Sequence, residues 1–440
     1  MTRTSRQPAR LAGATDVVVI GAGHAGLSMS YMLSKHNVDH VVLERGEVAN
    51  SWRRERWDSL KLLTPNWQTR LPGQAYSGPD PDGFSPVSEL IRFLEDYAGK
   101  TGAPVYTNTR VTSVRREQRH YRITTDRGSW RCRAVVLATG ACNTPSIPAV
   151  AAEVPGNITQ LTPRDYRAPD QIDAGGMLVV GASATGVQLA DELLRAGHEV
   201  TVAVGEHVRM PRRYRGHDIA HWLDRCGIYD ERYDEIDDIT RGRRLPSPQL
   251  VGSSETPILD LNGLTSRGAT LTGRLMNVCN GVAQFSGSLR NVCTLADLKM
   301  NRLLGTIYET ADLDGAPPAE TFAATRVADS PVLALDFERA GIRTIIWATG
   351  FRPDYSWLDV PVLDRKGRLQ HDGGIVASPG MYALGLPLMR RRKSSFIFGI
   401  EDDARDISEF IVEYLTSNKR STANGVHRDD SPGHGIRRSA

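Results

Sequence analysis

The chain of 440 residues contains no apolar run approaching the roughly 18 residues that a membrane helix needs. Its basic N-terminus, MTRTSRQPARLAG, leads into no apolar targeting segment. Neither a membrane protein nor a secreted one is expected, and the chain reads as cytoplasmic. Cysteine is scarce: Cys132, Cys142, Cys226, Cys279 and Cys293 are never spaced as CxxC, which argues against a disulfide scaffold, a zinc knuckle and a dithiol redox motif. No metal site is expected. Net charge is also small, with 54 basic residues against 51 acidic ones giving +3. Spread along the chain, these charges make no polyanion-binding surface, so nucleic acid is not expected as a partner and a small molecule is.

What is present is enough apolar residue, 40% of the chain, to bury the cores of two or three domains. Residues 1–13 and 418–440 lack apolar periodicity and read as flexible tails. Between them one pattern occurs twice: strand, glycine turn, helix. It opens at Asp16 with DVVVIGAGHAGLSMSYML and again at Met177 with MLVVGASATGVQLADEL. A helix is expected from Pro86 to about Lys100, with Ser85 as its N-cap and Val87, Leu90, Ile91, Leu94 and Tyr97 on one face. Alternating runs at 110–116 and 120–126 and the apolar strand 134–140 complete a first unit. The chain therefore reads as α/β, with two Rossmann-like dinucleotide-binding domains. Residues 14–165 form the first part of one, 166–330 the inserted second, and 331–417, with RTIIWATGFRPD and GMYALGL, return to the first.

The first turn has its glycines, Gly21, Gly23 and Gly26, in the dinucleotide spacing between a buried strand and a helix. The next strand ends in Glu44, 23 residues after Gly21, where a carboxylate accepts from ribose hydroxyls and repels a 2′-phosphate. This turn calls for FAD or NAD. Arg45, Trp52, Arg53, Arg54 and Trp57 follow, supplying charge for a diphosphate and aromatic surface for a large cofactor, and Thr139 and Gly140 close the LATG strand. A lone turn of this kind is a weak signal; the strand, helix and acid around it make it strong.

The second turn carries Gly181, Ser183 and Gly186, with the helix N-terminus directed at the diphosphate. After the strand VTVAV come Arg209, Arg212, Arg213 and Arg215, whose guanidinium groups suit a 2′-phosphate, so this turn reads as NADPH-binding. Glu206 keeps NADH open.

With these motifs the sequence resembles the class B flavin-dependent monooxygenases, a group that includes flavin-containing, N-hydroxylating, Baeyer-Villiger and plant indole-pyruvate monooxygenases, and above all their compact bacterial members. The resemblance runs over about residues 14–416, through GAGHAG, SWRRERWDSLKLLTP, LATG, VVGASATG, WATGF and SSFIFGIEDDA. It departs at the linker: the group's FxGxxxH is here VPGNITQLTPRDYR, with Gly156 and Tyr166 retained and Thr162 near the histidine position. The resemblance implies FAD in the first domain and NADPH in the second. It implies an oxygenation of nitrogen, sulfur or carbonyl centres in a small substrate by molecular oxygen, through a flavin C4a-(hydro)peroxide. It also suggests Asn66 near the flavin edge, although after Pro65 a turn-forming role fits the local chemistry. A homodimer is left open. Two other readings stand beside it: a two-nucleotide disulfide reductase or flavin reductase/oxidase, against which the nearest cysteines, Cys279 and Cys293, are 14 residues apart, and a non-catalytic flavoprotein redox sensor. Trp222 and Phe285 are candidate pocket residues or core.

Overall fold

In the computed structural model, residues 11–253, 255, 258–310 and 317–424 are described, residues 11–12 and 418–424 as backbone only. Two parallel-sheet units account for most of them. In the first, the Leu11–Ile20 strand lies between His40–Leu43 and Gly128–Leu137, parallel to both. Val17, Val18 and Val19 are wholly buried, as an uninterrupted β-branched run requires when helices cover both faces of a sheet. The alternating runs become the antiparallel strands Val111–Glu117 and His120–Thr125, which extend this sheet to ten strands. Met381–Ala383 pairs in parallel with Gly128–Leu137, so the GMYALGL segment does return to the first sheet.

The second sheet holds five parallel strands, in the order Thr159–Leu161, Ile342–Trp347, Gly176–Val180, Val200–Ala203 and Thr270–Thr272. This corrects the expected boundaries at 165/166 and 330/331. The WATGF strand belongs to the second unit, between Thr159–Leu161 and Gly176–Val180, and is its counterpart of the LATG strand. Repetition of ATG marked equivalent strands in two units, and not a return to the first. The chain passes between the units near residues 143–146 and again near 350–352. These two crossings pair with each other as the antiparallel strands Thr144–Pro145 and Phe351–Arg352. Asn143 N–H donates to the Arg352 carbonyl (3.2 Å), Ser146 N–H to the Gly350 carbonyl (2.9 Å) and Thr349 Oγ1 to the Ser146 carbonyl (2.7 Å).

Helix ends also differ from expectation. The Val87–Thr101 helix starts after Pro86, and Ser85 does not cap it. Its hydroxyl instead lies 2.7 Å from Asn66 Oδ1 and 2.9 Å from Glu89 Oε2. Parts of the expected tails 1–13 and 418–440 are regular structure. Leu11–Gly13 pair with Gly128–Trp130, and the last helix runs Ile400–Asn424; residues 1–10 and 425–440 lie outside the described residues. That final helix packs against His24–Lys35. Among the described residues, no helix is long and apolar enough to cross a membrane.

Both glycine turns are built by close approach. A Cβ on Gly26 would lie 1.8 Å from the Gly21 carbonyl oxygen, and one on Gly186 would lie 1.9 Å from that of Gly181. Gly21 and Gly181 have φ of 108° and 114°, and a Cβ there would lie 2.5 Å from the Ala138 carbonyl oxygen and 2.3 Å from that of Ala348. Gly26→Ala and Gly186→Ala should each destabilise the protein by more than the ~1–3 kcal/mol usual for overpacking, because the obstacle is backbone. Thermal melting of the two variants checks this; an unchanged midpoint in either would show that the turn can relax.

Candidate active site

Between the two units lies a cleft of ≈ 940 Å³. The second turn contributes Gly181, Ser183 and Thr185 to its wall, the first unit Trp52, Trp57 and Ala141, and the crossing segments Ser146, Gly350 and Phe351. Neither Gly23 nor Ser183 caps its helix with a side-chain bond. The first N–H groups of both helices are thus directed at the loops, as anion binding at a helix N-terminus requires. A Cβ on Gly23 would meet nothing within 4 Å, which is the clearance that the middle glycine leaves for a diphosphate.

Glu44 is 7% exposed. Its Oε2 accepts from Ala22 N–H (2.8 Å) and its Oε1 from Gly46 N–H (3.0 Å), so the carboxylate is fixed against the first turn while each oxygen keeps a lone pair for a further donor. His24, the first residue of the first-turn helix, has its pKa pulled down to about 4 by burial and is neutral at physiological pH. Thr139 and Gly140 sit just past the Gly128–Leu137 strand, Gly140 with φ of 73°, and the Thr139 carbonyl accepts from Asn143 Nδ2 (2.8 Å).

The arginines and tryptophan after Glu44 have separate tasks. Arg45 donates to Glu55 Oε1 (2.6 Å), and Arg164 of the interunit linker reaches the same oxygen (2.9 Å). Arg53 turns away from the cleft and pairs with Glu47 (3.2 Å) and Glu95. Trp52 stays at the cleft, stacked under the Arg56 guanidinium at 5.1 Å. Burial lowers the pKa of Arg56, with Cys142 and Glu55 opposing. Cys142 is open to the cleft, yet the protein surrounding it pushes its thiol up. It is the only one of the five cysteines in the cleft wall.

In the linker, Thr162 Oγ1 donates to Asp165 Oδ2 (2.6 Å) and closes a local turn. Arginines do the joining. Arg164 holds Glu55, and Arg167 donates to the Arg56 carbonyl (2.5 Å) and the Arg54 carbonyl.

The arginines expected to take a 2′-phosphate are placed otherwise. Arg209, 3% exposed, is held by Asp260 (2.6 Å) and Asp297 (2.7 Å) inside the second unit. Arg212, 1% exposed, donates to the Leu63 carbonyl and pairs with Asp218. Arg213 is exposed in a hairpin, 3.4 Å from the Gly216 carbonyl, and does not line the cleft. Although all three follow Val200–Ala203 closely in sequence, the chain turns Arg209 and Arg212 into the interior and Arg213 to the surface.

The positive groups that do line the cleft are Arg56 and Lys61 from the first unit and Arg243, Arg244 and Arg274 from the segment after the second turn. The stretch carrying Arg243 and Arg244 is laid across the turn by Ala184 N–H to the Ser247 carbonyl (3.3 Å), Gln249 Nε2 to the Ala182 carbonyl (2.7 Å) and Gln188 Nε2 to the Leu250 carbonyl (2.6 Å). Arg243 also donates to the Leu388 carbonyl (3.3 Å). The one sequence signal was the basic run 241–244. Glu206, the acid that kept NADH open, pairs with Lys299 Nζ at 3.0 Å.

Asn66 is buried and held on both sides of its amide. Nδ2 donates to the Asp80 carbonyl (2.9 Å), and Oδ1 accepts from Ser85 N–H (2.8 Å). It is absent from the cleft wall and anchors the loop that carries Phe84. Trp222 and Phe285 are core residues.

Comparison with known proteins agrees with this layout. The family described as pyridine nucleotide-disulphide oxidoreductase matches residues 18–224. The chain is 30% identical over 406 residues to a CzcO-like oxidoreductase of Geobacillus kaustophilus, covering 91% of this chain and 99% of the relative. A flavin-containing monooxygenase from Stenotrophomonas maltophilia superposes with a TM-score of 0.65 at 20% identity, over 92% of this chain and 99% of that one. The structure of OTEMO in complex with FAD and NADP gives 0.52 at 17%, over 93% and 86%.

Since Asp260 keeps its two bonds to Arg209, Asp297→Ala should cost about 1–3 kcal/mol by leaving the buried Nη1 without its acceptor. Arg213→Ala should cost almost nothing. Urea unfolding of both variants, with equal midpoints as the contrary result, tests the structural reading of these arginines.

Proposed function

As the chain belongs to the family of CzcO-like oxidoreductases, we propose that it is a flavin-dependent monooxygenase that uses NADPH, FAD and molecular oxygen to oxygenate a small organic substrate at nitrogen, sulfur or a carbonyl carbon. The observation that carries this reading is the cleft shared by the second glycine turn and the aromatic edge of the first unit. A nicotinamide held by one can reach a flavin held by the other.

The residues fit the two groups. Gly21, Gly23 and Gly26 give the first diphosphate its turn and clearance, Glu44 stands where ribose hydroxyls need acceptors, and Thr139 and Gly140 border the same site. Arg45 acts through Glu55, and Trp52 offers its face to the cleft. On the other side Gly181, Ser183 and Gly186 form the second turn, and Arg243, Arg244 and Arg274 place cations beside it. With Glu206 neutralised by Lys299, little remains there to repel a 2′-phosphate, which favours NADPH over NADH.

When bound, FAD supplies electron transfer from the nicotinamide and activation of oxygen. The chain supplies position and dryness: Trp52, Trp57, Leu60, Leu63, Phe351 and Pro387 make the apolar wall that keeps water from the reacting atoms. No acid-base triad is required of the protein. Cys142 stands without a second cysteine in the cleft wall, which argues against a dithiol disulfide-reductase mechanism.

Purified FAD-loaded protein should consume oxygen with NADPH in a manner stimulated by one class among amines, sulfides and ketones. One peroxide released per NADPH with every substrate would make it an oxidase, and failure to retain FAD would sink the scheme. Replacing Arg244 and Arg274 together by alanine should weaken NADPH binding roughly tenfold to a hundredfold, the loss expected for charge-assisted bonds, and leave NADH binding nearly unchanged. Titration by fluorescence measures both, and equal losses would remove these arginines from the 2′-phosphate site.

A further inference from the structure

Arg212 is among the largest side chains sealed inside the protein, and it is only partly paired. Nη1 donates to the Leu63 carbonyl (2.9 Å) and to Asp218 Oδ2 (3.1 Å). The guanidinium lies over the Phe84 ring at 4.7 Å. Nε and Nη2 are buried and find no hydrogen-bond partner among the described residues. These two nitrogens form one edge of the guanidinium, and their spacing matches the two oxygens of a carboxylate. Donors on a charged group are costly to bury without an acceptor, so the edge calls for one.

A second polar group is in the same condition. Gln68 is fully buried, with neither amide atom in a well-formed hydrogen bond. The Tyr229 hydroxyl reaches Gln68 and lies within the electrostatic range of Arg212, so Tyr229 places the two residues in one neighbourhood. Arg212 Nε and Nη2 and the Gln68 amide together bring more donor protons than Gln68 Oε1 and the Tyr229 oxygen can accept. An excess of donors around a cation favours an anion over water.

The location ties this group to the cleft. Leu63, whose carbonyl holds Nη1, is part of the cleft wall. Phe84, on which the guanidinium stacks, precedes Ser85, which Asn66 pins through its backbone N–H. The geometry points to Arg212, assisted by Gln68, as the binding site for a carboxylate borne by the substrate, whose oxidisable nitrogen, sulfur or carbonyl would then extend into the cleft. This rests on the cleft being the site of oxygenation. It narrows the substrate class to small organic acids, such as thioether, amino or keto acids. Asp218 tempers the charge, and its other oxygen caps the Ile219–Arg225 helix by accepting from Ala220 N–H (2.8 Å).

The test is equilibrium binding to FAD-loaded protein, without turnover, followed by tryptophan fluorescence. The probes are acetate, 3-phenylpropanoate and 3-(methylthio)propanoate, each against its neutral amide. At least one acid should bind roughly tenfold to a hundredfold more tightly than its amide. Arg212→Met should abolish that difference and Gln68→Leu reduce it. Because Arg212→Met removes a core side chain, Asp218→Asn provides a variant that keeps both Arg212 and a good helix cap. It should tighten binding of the acid severalfold and leave the amide unchanged. If no acid is preferred over its amide in the unaltered protein, or if Asp218→Asn moves acid and amide alike, the edge holds water only and the inference falls. Flavin reduction by NADPH, measured in the same preparations, reports separately on the oxygenase reading. Protein that reduces its flavin and ignores all three acids refutes the carboxylate site alone.

Discussion

At Gly26 the first-turn helix passes so close to the Gly21 carbonyl that no side-chain carbon fits between them, and Gly186 repeats the contact with Gly181. Everything that follows in each unit depends on that approach. It seats the helix against the strand, turns the helix N-terminus toward the loop, and brings the first glycine against Ala138 or Ala348 of the ATG segment. The contact contains no side chain to vary, which is why the two units share glycines and alanines while the surrounding chemistry diverges. One carries a fixed acid at Glu44; the other carries arginines and a neutralised Glu206.

Buried charge organises the second layer. Arg209 with Asp260 and Asp297 holds the interior of the second unit. Arg45, Glu55 and Arg164 join the first unit to the linker, and Arg167 reinforces the same junction through backbone carbonyls. Such groups are expensive to desolvate unless fully paired, and Arg209 meets that condition. Arg212 does not. The contrast between two arginines three residues apart separates a structural cation from one whose surroundings are incomplete without a ligand.

Much of this was legible in the sequence where the signal is local. The Val17–Ile20 and Met177–Val180 runs, both glycine turns, the antiparallel strands after residue 110 and the Val87–Thr101 helix all follow from periodicity and turn chemistry over short windows. What was not legible depends on where the chain returns. Ile342–Trp347 is an apolar strand in either sheet, and only its parallel pairing with Gly176–Val180 assigns it to the second. Arg209 and Arg212 look like surface charge beside a nucleotide until the carboxylates at 260 and 297 and the Leu63 carbonyl arrive from distant segments. Arg243 and Arg244 lie far from the second turn in sequence and are brought to it by Gln188, Gln249 and the Ser247 carbonyl. Asn66 shows the same limit: its amide faces Asp80 and Ser85, which no local pattern names.

The paired crossings at 144–145 and 351–352 have a mechanical consequence. A single connecting strand lets two bodies swivel freely, whereas two antiparallel strands bonded side by side behave as a ribbon, stiff to shear in its own plane and soft to flexing across it. The relative motion left to the two nucleotide units is accordingly closer to the opening of a book than to the turning of a dial. The cleft beside the ribbon would change in width at its mouth far more than at its spine, where Ser146, Gly350 and Phe351 lie.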